Sequence, residues 1–297
     1  MSTRASGQGA TGVIHNIGYR NYDGPRLGRF DVGRALFSQT LRGSFGVGRG
    51  ARTKIFPWFL VLCAMIPAFI IVAIETESHR TVFQIGQYTA YVQVVPTLFV
   101  ALVAPQAVSR DLRFHTLPLY FSRPLGAVDY VRAKFAGVAA GLLAILVAPL
   151  LLLYVGAIMV GQPVGAATGE LFAALFGVLL FAALLSGLAL LISSVTPRRG
   201  LGMAAIIAVV FGSYGASSMF QGILSVTSSP DAAVYGGLLS PVSMYQMAQS
   251  GLWDVPPDGV VVHPDLLDGV IFTVVMVALT VGCYQLLKLR YRKVASS

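Results

Sequence analysis

Charge is scarce in this chain, and the places where it is missing carry the first information. Only 11% of the 297 residues are Asp, Glu, Lys or Arg, against 56% hydrophobic residues. That is too little polar surface to coat a water-soluble globule and too much apolar sequence for one buried core. Six stretches, 56–74, 88–108, 135–160, 171–195, 201–226 and 269–287, hold no Asp, Glu, Lys, Arg or His at all. Each approaches or exceeds the roughly 20 helical residues that cross about 30 Å of hydrocarbon, so they are the expected membrane spans. Their lack of ionisable groups removes the best evidence for a proton-coupled carrier, whose relays place such groups inside the membrane.

Other absences exclude further chemistry. Cys63 and Cys283 are the only cysteines and form no Cys-x-x-Cys motif, so they read as small apolar packing residues rather than a redox pair or metal ligands. His15, His79, His115 and His263 fall on different loops, two on each side, which excludes a four-His metal site and leaves no intramembrane base for a Ser/His hydrolase. The first 55 residues are rich in Gly and Arg and lack the apolar core of a secretory signal. Gly43 to Gly50 has the glycine spacing of a phosphate-binding Walker A loop, but Arg49 stands for its Lys and Gly50 for its Ser or Thr. Without the preceding buried strand these glycines read as a joint, and no ATP site or other cofactor is expected in this chain.

What charge there is falls in a pattern. Twenty of the 21 Lys and Arg residues occupy four segments, from Arg4 to Lys54, Arg110 to Lys134, Arg198 with Arg199, and Lys288 to Lys293; Arg80 alone lies in the opposite loops. Glu75, Glu77, Glu170, Asp231, Asp254, Asp258, Asp265 and Asp268 occupy those opposite loops. The expected fold is therefore an all-α integral membrane protein with six transmembrane helices and both termini cytoplasmic, oriented by its basic loops. The formal charge of +9 is a topology signal, not a nucleic-acid footprint. The chain divides into a cytoplasmic arm (1–55), a six-span unit (56–288) and a cytoplasmic tail (289–297).

Within the arm, Asp31 can cap a helix running to Gly46. On a helical wheel Phe30, Phe37, Leu41 and Phe45 share one face, with Asp31, Ser38 and Arg42 beside it and Arg34 in the same helix. The pattern is that of an amphipathic helix in the membrane interface, as an anchor or also as a grip on a cytoplasmic partner. The loop from Ser109 to Lys134 mixes charge with exposed apolar residues, including Leu117, Leu119, Tyr120 and Phe121. Pro118 interrupts any single helix, Ser122 with Pro124 suits a helix start, and Tyr130 and Lys134 lie one turn apart. A plain connector has no use for such a surface, whereas a protein-docking element does.

In this loop Asp111, Thr116 to Tyr120, Ser122-Arg123-Pro124, Tyr130 and Lys134 follow one another. This order resembles the second-to-third-span loop of ABC-2 type transporter permease subunits, and the run from Ile17 to Arg29 is similar to actinobacterial members. Pro118 departs from that pattern, where many relatives have a helical residue. The resemblance implies a coupling element, Asp111, Arg113, Leu117, Leu119, Tyr120, Ser122, Arg123, Pro124, Tyr130 and Lys134, seated on a separate ATP-binding subunit. It also implies an interface helix with Phe30, Arg34, Phe37, Leu41, Arg42 and Phe45. Arg198 and Arg199 would be a second cytoplasmic contact, or only an anchoring pair. The assembly it implies is a dimer of permease subunits, of the same or a homologous chain, with a dimer of ATP-binding subunits that hold ATP and Mg. It would sit among lipids of the cell membrane, the inner membrane in a bacterium. A membrane scaffold or assembly factor is the competing class, and a secondary carrier comes third.

The segment 227–268 on the opposite side is long for a connector. Ser240 and Pro241 can open a short helix that Gly251 closes, bringing Tyr245 near Trp253. The resemblance implies that this helix lines the outer end of a pathway; the alternative is that Tyr245 and Trp253 form an interfacial belt. The charge asymmetry predicts that cysteines introduced at Arg199 and Ser296 react with a membrane-impermeant reagent only from the cytoplasm, and one at Ser78 only from outside. Labelling of Ser78 and Arg199 from the same side of sealed vesicles would overturn the topology.

Overall fold

The computed structural model describes residues 28–48, 50–81, 83–113, 126–196, 198–227, 230–257 and 263–295, together with Gly24. Among these residues every regular element is helical. The long helices are α1 (Arg29–Ser44), α2 (Ala51–Ser78), α4 (Val94–Arg113), α5 (Ala127–Met159), α6 (Val164–Val195), α7 (Arg199–Thr227) and α10 (Leu266–Ala295). Shorter pieces are α3 (Tyr88–Tyr91), which continues a 3-10 turn at Ile85–Gln87, then α8 (Pro230–Tyr235) and α9 (Pro241–Trp253). Five helices, α2, α5, α6, α7 and α10, are long and apolar enough to cross a membrane, and α3 with α4 makes a sixth if the bent pair is one span. The protein is thus an all-helical, multi-pass membrane protein.

The helices overrun the apolar stretches that announce them. At 33 and 32 residues α5 and α6 are roughly 50 Å long at 1.5 Å per residue, well beyond the hydrocarbon thickness. Arg132 and Lys134 extend α5 at one end, and Lys288 to Lys293 extend α10. The tail from residue 289 is accordingly helical through Ala295, and Tyr291 is buried with its ring 5.2 Å from that of Tyr130 on α5. This contact brings the end of α10 to the start of α5. The start of α7 joins them, since Gly202 lies against Pro105 of α4 and Thr196 after α6. The basic segments share one end of the bundle, called the basic end below, and the acidic loops share the other.

The expected second span, 88–108, is broken. Helix Ile85–Tyr91 meets Val94–Val108 at 59°. Pro96 falls just after the break: it has no N–H for the Val92 carbonyl, a loss that the first turn of the renewed helix accommodates. Val92 O instead accepts a hydrogen bond from the Val95 N–H at 2.8 Å.

Helices α5 and α6 form the centre, with α4 and α10 against them and α2 along α5. Over half of the apolar window of α6 is enclosed, against 17% for α7. Helix α2 turns Trp58, Phe59, Leu62, Ile66, Phe69 and Ile70 outward, an apolar face that requires lipid as its solvent.

Helix α1 joins the bundle lengthwise. A Cβ on Gly137 would meet Thr40 at 2.7 Å, one on Gly141 would meet Ser44 at 3.3 Å, and one on Gly126 would meet the Arg29 guanidinium at 3.3 Å. The constant offset between these partners means that α1 and α5 run side by side in the same direction. The stripe of α1 that packs on the protein is Leu36, Thr40 and Ser44, beside the Phe30, Phe37, Leu41 and Phe45 face expected at the membrane interface. Small side chains occupy the seam because the backbones approach closely there; Phe37 and Phe45 flank it, Leu41 is half-buried, and Phe30 is 80% exposed. Asp31 acts from inside the first turn, its carboxylate accepting from the Gly28 N–H at 3.2 Å.

The Gly137→Val variant should separate α1 from α5, because its branched side chain meets Thr40 and the Phe37 carbonyl in a filled seam. A destabilisation of about 1–3 kcal/mol is expected, read as a lowered melting temperature in detergent, while Gly33→Ala, with open space at its Cβ, should not lower it.

Candidate functional site

At the basic end, α1 and α5 flank the exit of the loop that separates α4 from α5. Leu117, Leu119, Tyr120, Ser122, Arg123 and Pro124 lie outside the described residues, and Asp111 and Arg113 belong to the last turn of α4. Helix α5 starts at Ala127 rather than at Ser122 or Pro124, and the Asp129 carboxylate accepts from the Gly126 N–H at 3.2 Å to cap it. The same carboxylate pairs with Arg29 of α1, tying the two helices together where the loop ends.

Tyr130 and Lys134 do lie one turn apart, with the Lys134 ammonium 5.4 Å from the centre of the Tyr130 ring. Both face inward: Tyr130 is fully covered and Lys134 is 9% exposed. Neither can present a docking surface from this position; Tyr130 braces the start of α5 against Tyr291 of α10 instead. Lys134 also borders a small polar cavity of about 50 Å³ with Gln39, Thr40, Ser44 and Gln106. Arg34, Arg42, Arg198 and Arg199 are exposed, Arg199 opening α7. The glycines after Gly43 follow a helix rather than a strand, and Gly46 at φ +68° turns the chain from α1 into α2.

At the acidic end residues 230–257 fold back into the protein. Every residue of α9 from Pro241 to Ser250 is buried. The side chain of Ser240 caps it, accepting from the Val242 N–H at 3.2 Å, as its Ser-Pro start predicts. Its end differs from expectation: α9 runs on to Trp253 and stops at Asp254, whose φ of 56° is left-handed. Gly251 instead permits a backbone crossing, since its Cβ would lie 2.6 Å from Gly269 N of α10.

Polar side chains fix α9 in place. Tyr245 is 1% exposed, so it cannot belong to an interfacial belt. Its hydroxyl donates to the Gly86 carbonyl at 2.9 Å, and burial pushes its pKa above the ordinary tyrosine value. Gln249 donates through Nε2 to the Ala173 carbonyl at 3.0 Å. Ser217 of α7 donates to the Gly236 carbonyl and shares a 2.9 Å hydrogen bond with Ser243, and Gln221 Nε2 donates to Ser217. Nearby, Glu75 of α2 is buried and accepts from the Phe83 N–H at 3.0 Å. Trp253 remains 40% exposed and meets Phe176 edge-on at 5.5 Å. A cavity of about 180 Å³ lies beside it, lined by Gln84, Gly169, Glu170 and Ala173 among others. It shares Gly86 and Val255 with a smaller cavity that reaches Gln246 and Gln249. Gln246 Nε2 and Gln249 Oε1 are buried with no hydrogen-bond partner among the described residues.

No protein-family model matches this chain, and no curated protein is detectably similar to it. The site therefore rests on its geometry. Sequence reasoning weighed ionisable residues and passed over the amides; the glutamines at 93, 221, 246 and 249, set in apolar sequence, were the available signal.

Gly177 of α6 tests the seat of α9, because a Cβ there would lie 1.6 Å from Gln249 Nε2. Gly177→Ala should expel that amide, break its bond to Ala173 and lower stability by about 1–3 kcal/mol. The combination Gly177→Ala with Gln249→Ala should recover part of the melting temperature. Equal and additive losses would show that the two positions do not compete for the same space.

Proposed function

We propose that this chain is the permease subunit of an ATP-driven ABC-2 type exporter, with α2, the bent α3–α4 pair, α5, α6, α7 and α10 as six spans. The observation that carries the reading is the bracketing of the α4–α5 loop by α1: the Arg29–Asp129 ion pair and the Gly137 and Gly141 seam join α1 to the helix that leaves the loop. A displacement imposed on residues 114–125 would thus be passed to two packed helices at once, and from α5 to its neighbour α6. In this reading Leu117, Leu119, Tyr120, Ser122 and Arg123 contact a cytoplasmic ATP-binding subunit that holds ATP and Mg. Tyr130 and Lys134 transmit the load from behind, and Arg198 and Arg199 provide the second contact. Two permease chains and two ATP-binding subunits make the working unit in the cell membrane.

The buried α9 suits the opposite end of the route. A helix buried along ten residues, whose Gln246 and Gln249 amides border the smaller of two adjoining cavities, closes the outer mouth and provides polar contacts to cargo that passes it. This chain performs no bond chemistry; it shapes the route and moves.

The reading predicts that Arg123→Glu, or Leu119→Ala with Tyr120→Ala, leaves membrane abundance unchanged but weakens the partner subunit's docking or uncouples its ATP hydrolysis from export. Charge reversal at such a contact weakens association by several kcal/mol in order of magnitude. ATP-dependent movement of cargo in reconstituted vesicles separates an exporter from a scaffold. If the wild-type complex hydrolyses ATP but moves no member of a broad hydrophobic and lipid panel, and these variants leave its ATPase untouched, the coupling role is wrong.

A further inference from the structure

A groove of about 580 Å³ lies at the basic end, between the first half of α1 and the start of α5. Helix α1 contributes Arg29, Phe30, Gly33, Arg34 and Phe37, residues that recur on one helical face, and α5 contributes Asp129, Arg132, Ala133 and Ala136, which also share a face. The side-by-side course of the two helices sets these stripes against each other. The seam at Gly137 closes the groove at one end and the Arg29–Asp129 pair spans it near the other.

The lining is chemically divided. Three arginines face one carboxylate, and that carboxylate is already paired with Arg29. Arg34 and Arg132 are exposed and have no ion-pair partner among the described residues. The apolar part consists of Phe37, Ala133 and Ala136, with Phe30 standing 80% exposed at the open side. Ala136 coincides with the beginning of the uncharged stretch from residue 135, and Arg132 lies one turn before it. The cationic part is therefore at the depth where a hydrocarbon layer gives way to headgroups, and the apolar part continues into that layer.

We infer that this groove holds one anionic phospholipid of the leaflet at the basic end, its phosphate between Arg34 and Arg132 and the upper part of an acyl chain along Phe37 and Ala136. Two unpaired guanidiniums provide the planar donors that match a phosphate. The groove joins cationic residues to an apolar stretch, as a lipid headgroup and the upper part of its chain require, whereas a free anion would not use the apolar half. Gly33 shapes the floor: nothing lies within 4 Å of where its Cβ would be, so a larger side chain there would fill the groove without touching a charge. The bound lipid would fasten α1 to α5 in addition to the ion pair. The inference depends only on membrane insertion, and it stands or falls independently of the exporter reading.

The test uses the full chain purified into nanodiscs of phosphatidylcholine with a minor share of phosphatidylglycerol, and native mass spectrometry of the protein with its retained lipid. Wild type should retain one phosphatidylglycerol. Arg34→Gln with Arg132→Gln should weaken retention roughly 30-fold, from a factor of about five per arginine near an anionic surface, and Arg34→Lys with Arg132→Lys should keep part of it. Gly33→Leu should abolish retention while leaving the charges and the helical circular dichroism intact. Arg290→Gln with Arg292→Gln, an equal loss of charge on α10, should change nothing. A photoreactive residue at Ala136 should tag lipid. Equal loss in the α10 variant would mean diffuse charge attraction, retention in Gly33→Leu would place the lipid elsewhere, displacement by millimolar inorganic phosphate would make the ligand a free anion, and tagging of a second polypeptide would make the groove a protein interface. Each of these results overturns the inference.

Discussion

Polar atoms carried into an apolar surrounding have to find their partners within the chain, and the acidic end of this protein is built around that requirement. Helix α9 is enclosed along ten consecutive residues, yet it carries a tyrosine, two glutamines and two serines. Its partners come from distant parts of the sequence: the Gly86 carbonyl before α3, the Ala173 carbonyl of α6, and Ser217 of α7. Glu75 does the same for the turn after α2 by accepting from the Phe83 N–H. A hydrogen bond whose alternative is an unsatisfied group in a dry interior is costly to lose. The fold-back of 230–257 is consequently a fixed piece of the bundle rather than a loop lying on it.

The second device is the removal of side chains where backbones must meet. Gly137 and Gly141 admit α1, Gly177 admits the Gln249 amide, and Gly251 with Gly269 allows α9 to cross α10. In a lipid environment, where apolar side chains gain little by leaving the solvent for one another, such close approach is a main source of helix association. The glycine seams also explain why the two ends differ. At the basic end the seam leaves a groove open beside it, whereas at the acidic end each seam is filled by an amide or a neighbouring backbone.

These features give the exporter reading its mechanical content. Helix α5 is touched at its start by α1 and by α10 through the Tyr130 and Tyr291 rings, and it then runs through the centre beside α6. In that reading a push at the basic end would reach α6, and with it the seat of Gln249, through packed helices. The ionisable residues sit at the ends of this path, and its middle is held by packing alone.

The chain by itself determined which stretches are apolar, and the five straight crossing helices overlap them because an uncharged run of such length has no other stable use. It also determined the Ser240–Pro241 helix start, the one-turn spacing of Tyr130 and Lys134, and the segregation of basic from acidic loops, all of which are local. Only the tertiary structure decided the rest. The chain bends at Val92, just before Pro96, while α2, α4 and α5 run on through their prolines, and α1 turns Leu36, Thr40 and Ser44 to the glycines of α5. Tyr245 looks like a belt aromatic until α6 and the Ile85–Tyr91 segment close around it, and Gly251 looks like a helix stop until Gly269 lies against it. Periodicity reports the preference of one helix for an apolar side, whereas the identity of the facing surface, glycine or phenylalanine, amide or lipid, is a property of two helices together and becomes defined only when they pack.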